Sequence, residues 1–155
     1  MKIALGADHA GFELKQLLVK EITDLGHDVI DLGATCYDAL DDYPDFAQSV
    51  GETVAAGKAD RGVVVCGSGI GANIAANKIP GVRAGICPDT YSAHQGVEHD
   101  DMNVLILGSR VMGVEVVREV LRSYLQAEFS GEERHVRRLN KVLAIESHYT
   151  HIHKP

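Results

Sequence analysis

No apolar run in this 155-residue chain approaches the ~20 residues of a membrane-spanning helix, so none is expected. The N-terminus, Met1-Lys2-Ile3-Ala4-Leu5-Gly6, has no long apolar core of the kind a secretion signal needs. Basic charge is in the minority: 15 lysines and arginines stand against 22 aspartates and glutamates, a net −7 with histidine neutral. A global positive field for nucleic acid is therefore excluded. Cysteine is scarce and odd in number. Cys36, Cys66 and Cys87 include no C-x-x-C pair, which argues against a disulfide framework and for reduced thiols in a cytoplasm. No internal repeat and no interdomain linker interrupts the chain. What is there is 45% hydrophobic and long enough for one domain, 1–155, with a full core.

Apolar runs and helical periodicities alternate. Ile3–Gly6, Val29–Leu32, Gly62–Cys66, Val82–Cys87 and Val104–Gly108 read as strands. Phe12, Leu14, Leu17, Leu18, Ile22 and Leu25 recur at helical spacing up to Gly26. Phe46, Val50 and Val54 lie four apart on a second helix. Ile74–Lys78, Thr90–His99, Val114–Phe129 and, after Gly131, Glu132–Ser147 complete the pattern. Strands alternating with helices predict an α/β fold, a Rossmann-like five-stranded parallel sheet, doubly wound by right-handed crossovers. The strands are apolar throughout, as expected when helices cover both faces. Residues 131–155 exceed what the sheet needs, and their helix, bearing Val136, Leu139, Val142, Leu143 and Ile145, is a candidate dimer arm.

Ligands in such sheets bind beyond the carboxyl ends of the strands. Asp8-His9, Cys66 and Gly108-Ser109-Arg110 follow or end strands one, three and five, so they should share a rim. Cys66 is followed at once by Gly67-Ser68-Gly69-Ile70-Gly71-Ala72-Asn73. A thiol delivered to a ring of backbone N–H groups at a helix start sits beside an anion cradle, a setting that favours thiolate. The loop fits a dinucleotide fingerprint, G-x-G-x-x-A, with Asp89 after the next strand. Pro80-Gly81 cuts its helix short, however, and the motif does not open the fold. A phosphatase loop would carry arginine where Ala72 stands, and a P-loop would end in Gly-Lys-Ser/Thr. An anion or oxyanion loop beside a thiol remains. Cys36 and Cys87 have no such neighbours. Asp8 equally suits a helix cap. His94 and His99, five apart, do not present two ligands on one helix face, and no metal site is expected. His148, His151 and His153 read as a frayed tail. Arg134, Arg137 and Arg138 form either a solvated face paired with Glu132 and Glu133 or an anion clamp.

Taken together, Gly6-Ala7-Asp8-His9-Ala10-Gly11-Phe12, Asp42-Tyr43-Pro44, Cys66 to Gly71, Ile74 to Lys78, His99 to Asn103, Gly108-Ser109-Arg110 and Arg134-His135 resemble the ribose-5-phosphate isomerase B family. That family also includes galactose-6-phosphate isomerase subunits. The resemblance runs from Met1 to about Glu146. It implies a cytoplasmic, metal-free and cofactor-free aldose–ketose isomerase, a homodimer or tetramer. It implies Cys66 as the base between C2 and C1, with Ser68 beside it. The amides of Gly67, Gly69, Ile70, Gly71 and Ala72 would hold an enediolate, and Asp8 and His99 would open the sugar ring. His9, Arg110, Arg134 and Arg138 would bind phosphate, with Tyr43, Asp100 and Asn103 as further substrate contacts. Asp100 stands where the family usually has asparagine, which bears on the choice between ribose 5-phosphate and a six-carbon sugar phosphate such as galactose or allose 6-phosphate. His99 closes a helix that leads into strand five, so it should lie at the rim opposite Cys66 and enter the active site of a partner chain.

Overall fold

The computed structural model describes residues 1–152. Five strands, β1 (Lys2–Ala7), β2 (Asp28–Asp31), β3 (Arg61–Cys66), β4 (Ala84–Ile86) and β5 (Val104–Gly108), form one sheet in the order β2-β1-β3-β5-β4. All four pairings are parallel. The helices are α1 (Phe12–Asp24), α2 (Tyr43–Ala55), α3 (Ile70–Ala76), α4 (Thr90–Asp100), α5 (Val114–Gln126) and α6 (Glu133–Ile152).

Alternation along the strands builds two cores. Ile3, Leu5, Val63, Val65, Leu105 and Leu107 point to one face, where Leu18 and Ile22 of α1, Ala93 and Val97 of α4, and Val117, Leu121 and Tyr124 of α5 cover them. Ala4, Val64, Cys66, Val104 and Ile106 point to the other, under Ala47 and Val50 of α2 and Ala72 and Ala76 of α3. Crossovers toward β2 (β1 to β2, β4 to β5) carry α1 and α4 on the first face. Those in the opposite sense carry α2 and α3 on the second, as a single handedness of crossover requires.

Register then fixes what can meet. Ala7 is level with Val65, and Cys66 with Gly108. Asp8, Cys66 and Gly108 therefore form a row across three adjacent strands at the carboxyl rim. Gly11, at the entry of α1, lies so close to β3 that a Cβ there would stand 2.5 Å from Val65 O. Only glycine lets the Asp8–Gly11 turn sit down beside Cys66.

Four predicted elements move. The helix after the glycine loop starts at Ile70 rather than Ile74, because Gly69 at φ +88 closes the loop early and serves as its N-cap. β4 shrinks to three residues at the sheet edge, where only β5 pairs with it. α5 stops at Gln126 rather than Phe129, and α6 continues past Ser147 to Ile152, taking in His148 of the predicted tail; His153 lies outside the described residues. No helix among the described residues is long and apolar enough to cross a membrane.

Candidate active site

Hydrogen bonds from Ser109 and Arg110 stitch the three strand ends together. Ser109 N donates to Cys66 O at 2.9 Å, Arg110 N to Gly67 O at 3.0 Å, and Ser109 Oγ to Ala10 O at 2.6 Å. A Cβ on Gly108 would lie 2.7 Å from Ser68 O, so the glycine loop folds directly against the end of β5. Arg110 reaches back over the loop: its Cδ is 3.6 Å from where a Cβ of Gly67 would stand.

Inside this frame Cys66 is only 4% exposed, on the α2/α3 side of the sheet. Its sulfur is not sealed among aliphatic groups alone, because Gly69 N donates to Sγ at 3.2 Å. The loop thus gives the sulfur a polar partner. Ser68 is exposed, and its Oγ accepts from Ile70 N at 3.3 Å. Gly71 and Ala72 N–H have no protein acceptor among the described residues. These are orphan donors of a first helical turn, available to an oxyanion. α3 has only seven residues, so individual amides rather than a long helix dipole carry the electrostatics.

Asp8 is 6% exposed. Its Oδ1 accepts from Gly11 N at 3.1 Å, which closes the turn ahead of α1 and does not cap the helix, whose N-cap is Gly11, while Oδ2 has no protein partner among the described residues. His9, next along, is held by Asp41: Oδ1 accepts from His9 N at 3.0 Å and lies 2.6 Å from ring Nδ1. Tyr43, the first residue of α2, lies with its ring on the glycine loop, where a Cβ on Gly71 would be 2.5 Å from Tyr43 Cζ. The ring covers one side of the loop at Gly71. Among the described residues no group of three histidine, cysteine, aspartate or glutamate side chains could hold a metal.

The other predicted site residues lie at the opposite rim. His99 ends α4, which runs through Asp100 and Asn103 into the start of β5. Its ring stacks on His135 of α6 at 4.0 Å, with planes 28° apart. His135 is 1% exposed, and its Nδ1 lies 2.6 Å from Ser130 Oγ. Burial, reinforced by His99 and Arg134, pushes its ionisation below the usual histidine value. Arg134 and Arg138 project from the first turns of the same helix, both exposed, with Arg134 Nε 2.9 Å from Glu132 Oε2. Asn103 has both ends of its amide engaged within the chain. Its Oδ1 accepts from Arg83 N at 2.7 Å and its Nδ2 donates to Gly81 O at 2.8 Å, so its amide brackets the entry to β4.

The fold thus unites Asp8, His9, Tyr43, Cys66, Ser68, the 67–72 loop and Arg110, and keeps His99, Asp100, Arg134 and Arg138 apart from them. Residue reading missed Asp41 and the structural role of Ser109. Asp41 sits 32 positions from His9 in an aspartate-rich loop, so composition alone does not single it out. A cavity of about 850 Å³ lies away from Cys66. It lies between α6 and the β4 edge, lined by Val82, Met102, Leu139, Val142, Leu143 and Tyr149 among others.

The ribose/galactose isomerase family profile matches residues 3–142. Ribose-5-phosphate isomerase B of Escherichia coli (strain K12) is 43% identical over 94% of this chain and 96% of its own. The structure of ribose-5-phosphate isomerase B from Clostridium thermocellum superposes with a TM-score of 0.92 at 44% identity, covering 96% of this chain and 99% of that one. The enzyme of the same name from Mycoplasma genitalium, solved with bound ribulose-5-phosphate, gives a TM-score of 0.90 at 36% identity, covering 94% of this chain and 96% of that one.

Proposed function

The chain belongs to the ribose/galactose isomerase family, and from that premise we propose that it interconverts D-ribose 5-phosphate and D-ribulose 5-phosphate with the Cys66 thiolate as base. The reaction class is that of an aldose–ketose isomerase of the ribose-5-phosphate isomerase B type. In the open-chain aldose, Cys66 takes the proton from C2, the electron pair moves onto the carbonyl oxygen, and an enediolate forms. The C2 hydroxyl proton passes to O1, and Cys66 delivers a proton to C1 to give the ketose; on the sulfur that proton exchanges with solvent before it is delivered. The observation that carries this reading is the Gly69 N to Cys66 Sγ hydrogen bond at 3.2 Å, within a loop whose Gly71 and Ala72 amides are unspent. Developing negative charge at the enediolate oxygens meets donors already in place; losing one such donor typically costs about 10²–10³ in rate.

Phosphate and enediolate are both anionic and need separate partners. His9 and Arg110 hold the phosphate at the rim of Cys66. Arg134 and Arg138 share a rim with His99, so they reach the phosphate from a partner subunit, as His99 reaches Asp8 to open the ring. An apolar groove along α6, with Val142, Leu143, Ile145 and Tyr149 exposed, supports this C-terminal helix as the arm of a homodimer.

The test is a proton NMR assay in deuterium oxide on four-, five- and six-carbon aldose phosphates. Ribose 5-phosphate should be converted fastest, with deuterium entering at the transferred position. Cys66→Ala should abolish turnover and exchange while still binding the sugar phosphate. Near-native turnover by Cys66→Ala removes the thiol from the reaction. Faster conversion of galactose or allose 6-phosphate reassigns the substrate.

A further inference from the structure

Asp41 is a largely buried carboxylate that the mechanism above does not use. It sits in the loop between β2 and α2, and the turn before it is built locally: Asp38 Oδ1 accepts from Leu40 N at 2.9 Å and Asp38 O from Asp41 N at 3.1 Å. The turn aims Asp41 at His9. One oxygen, Oδ1, receives both the His9 backbone N–H and ring Nδ1, at 3.0 and 2.6 Å. The side chain is 12% exposed, and Oδ2 is buried without a partner among the described residues. Tyr37 stands edge-on to the His9 ring at 6.2 Å and closes its other flank.

An ionised carboxylate only accepts hydrogen bonds, so the nitrogen facing it, Nδ1, is the one that carries hydrogen. Nε2, with no protein partner among the described residues, is left to meet a ligand. When a phosphate takes a hydrogen bond from Nε2–H, both ring nitrogens are protonated, and the carboxylate behind the ring balances that charge. A buried carboxylate with an unpaired oxygen is poorly compensated beside a neutral ring and well compensated beside a cation.

We propose that Asp41 is a positioning residue for phosphate recognition, holding His9 by its backbone and Nδ1 so that Nε2 is turned to the phosphate of the sugar. The proposal rests on His9 as a phosphate ligand, and the experiment separates the two. KM for ribose 5-phosphate and inhibition by inorganic phosphate are compared for native protein, Asp41→Ala, Asp41→Asn, His9→Asn and the His9→Asn/Asp41→Ala double variant. Asp41→Ala should raise KM and weaken phosphate inhibition about tenfold, the worth of one charge-assisted hydrogen bond, with kcat within about twofold. Asp41→Asn, whose amide oxygen still accepts from both His9 donors, should recover part of the loss, and it serves as the test variant should the alanine chain fold poorly. In the His9→Asn background, Asp41→Ala should add less than about twofold, because its route of action is gone. Nitrogen-15 NMR, with the His9 signals assigned by their loss in His9→Asn, should place the neutral ring's proton on Nδ1 in native protein and move it to Nε2 in Asp41→Ala. Full additivity of the two substitutions, or an unchanged KM in Asp41→Ala, overturns the proposal, as does an unchanged nitrogen spectrum. A His9→Asn protein with native KM overturns the phosphate assignment itself, while the spectrum still reports the Asp41 contact.

Discussion

Three cysteines of the same chemistry are given three fates by their surroundings. Cys36 is exposed in the loop after β2, and Cys66 is held under the Gly69 amide. Cys87 is buried at the end of β4, where burial, aided by Asp89, pushes its ionisation up to about 11. Only about one Cys87 thiol in ten thousand is then ionised at neutral pH, and thiolate is the form that reacts. Iodoacetamide at pH 7, followed by peptide mass spectrometry, should therefore modify Cys36 first and Cys87 only after denaturation. In a Cys36→Ser chain, the slow residual labelling should belong to Cys66 and fall when ribose 5-phosphate is added. The setting of Cys66 was legible in the sequence because it is local: a β-branched run ending on cysteine before Gly67-Ser68-Gly69 defines it within a few residues. Asp41 was not, because its contact with His9 depends on how a loop closes over 32 positions.

The α4–α6 junction carries its own pH dependence. His135 is packed against His99 and buried, which disfavours its charged form in the folded chain. As pH falls, the unfolded chain takes up this proton first. The stability associated with the neutral ring is complete above the ordinary histidine value of 6.5 and diminishes as pH falls through that value toward the lower folded one. Thermal melting at fixed protein concentration should show Tm dropping between pH 7.5 and about pH 5, with a shallower slope in His135→Gln. At this scale the order and type of elements followed from periodicity, but their ends did not. α3 begins four residues early because Gly69 turns left-handed, a conformation its sequence allows without demanding. Lys15 illustrates the same limit. It falls on the buried face of α1, yet its Nζ is paired with both oxygens of Asp31 at 2.6 and 2.7 Å, anchoring the start of the loop that carries Asp41.

For the molecule as a whole, the division of site residues between two rims makes a test of assembly. Cys66→Ala and His99→Ala chains should each be inactive alone, since each spoils every site in a homodimer. Mixed and allowed to exchange subunits, they should recover activity, because half the sites of a heterodimer then combine an intact Cys66 with an intact His99. Mass spectrometry of the mixture verifies exchange; verified heterodimers without activity would assign each site to one chain. The parallel sheet and its doubly wound topology were readable from alternation alone, and so was the placement of His99 away from Cys66, since a helix leading into a strand must deliver its end to the strand's start. The His99–His135 stack, 36 positions apart, came only with packing of α6. β5 separates the two rims with five residues, Val104–Gly108, hydrogen-bonded on both sides. At ~3.3 Å per residue that is roughly 15 Å of strand that can neither shorten nor bend without breaking the sheet. On the shared-site reading, a solitary copy could be fully folded and still be inert. Dilution past the dissociation constant would then silence the enzyme with its circular dichroism unchanged, and concentrating it would restore the rate.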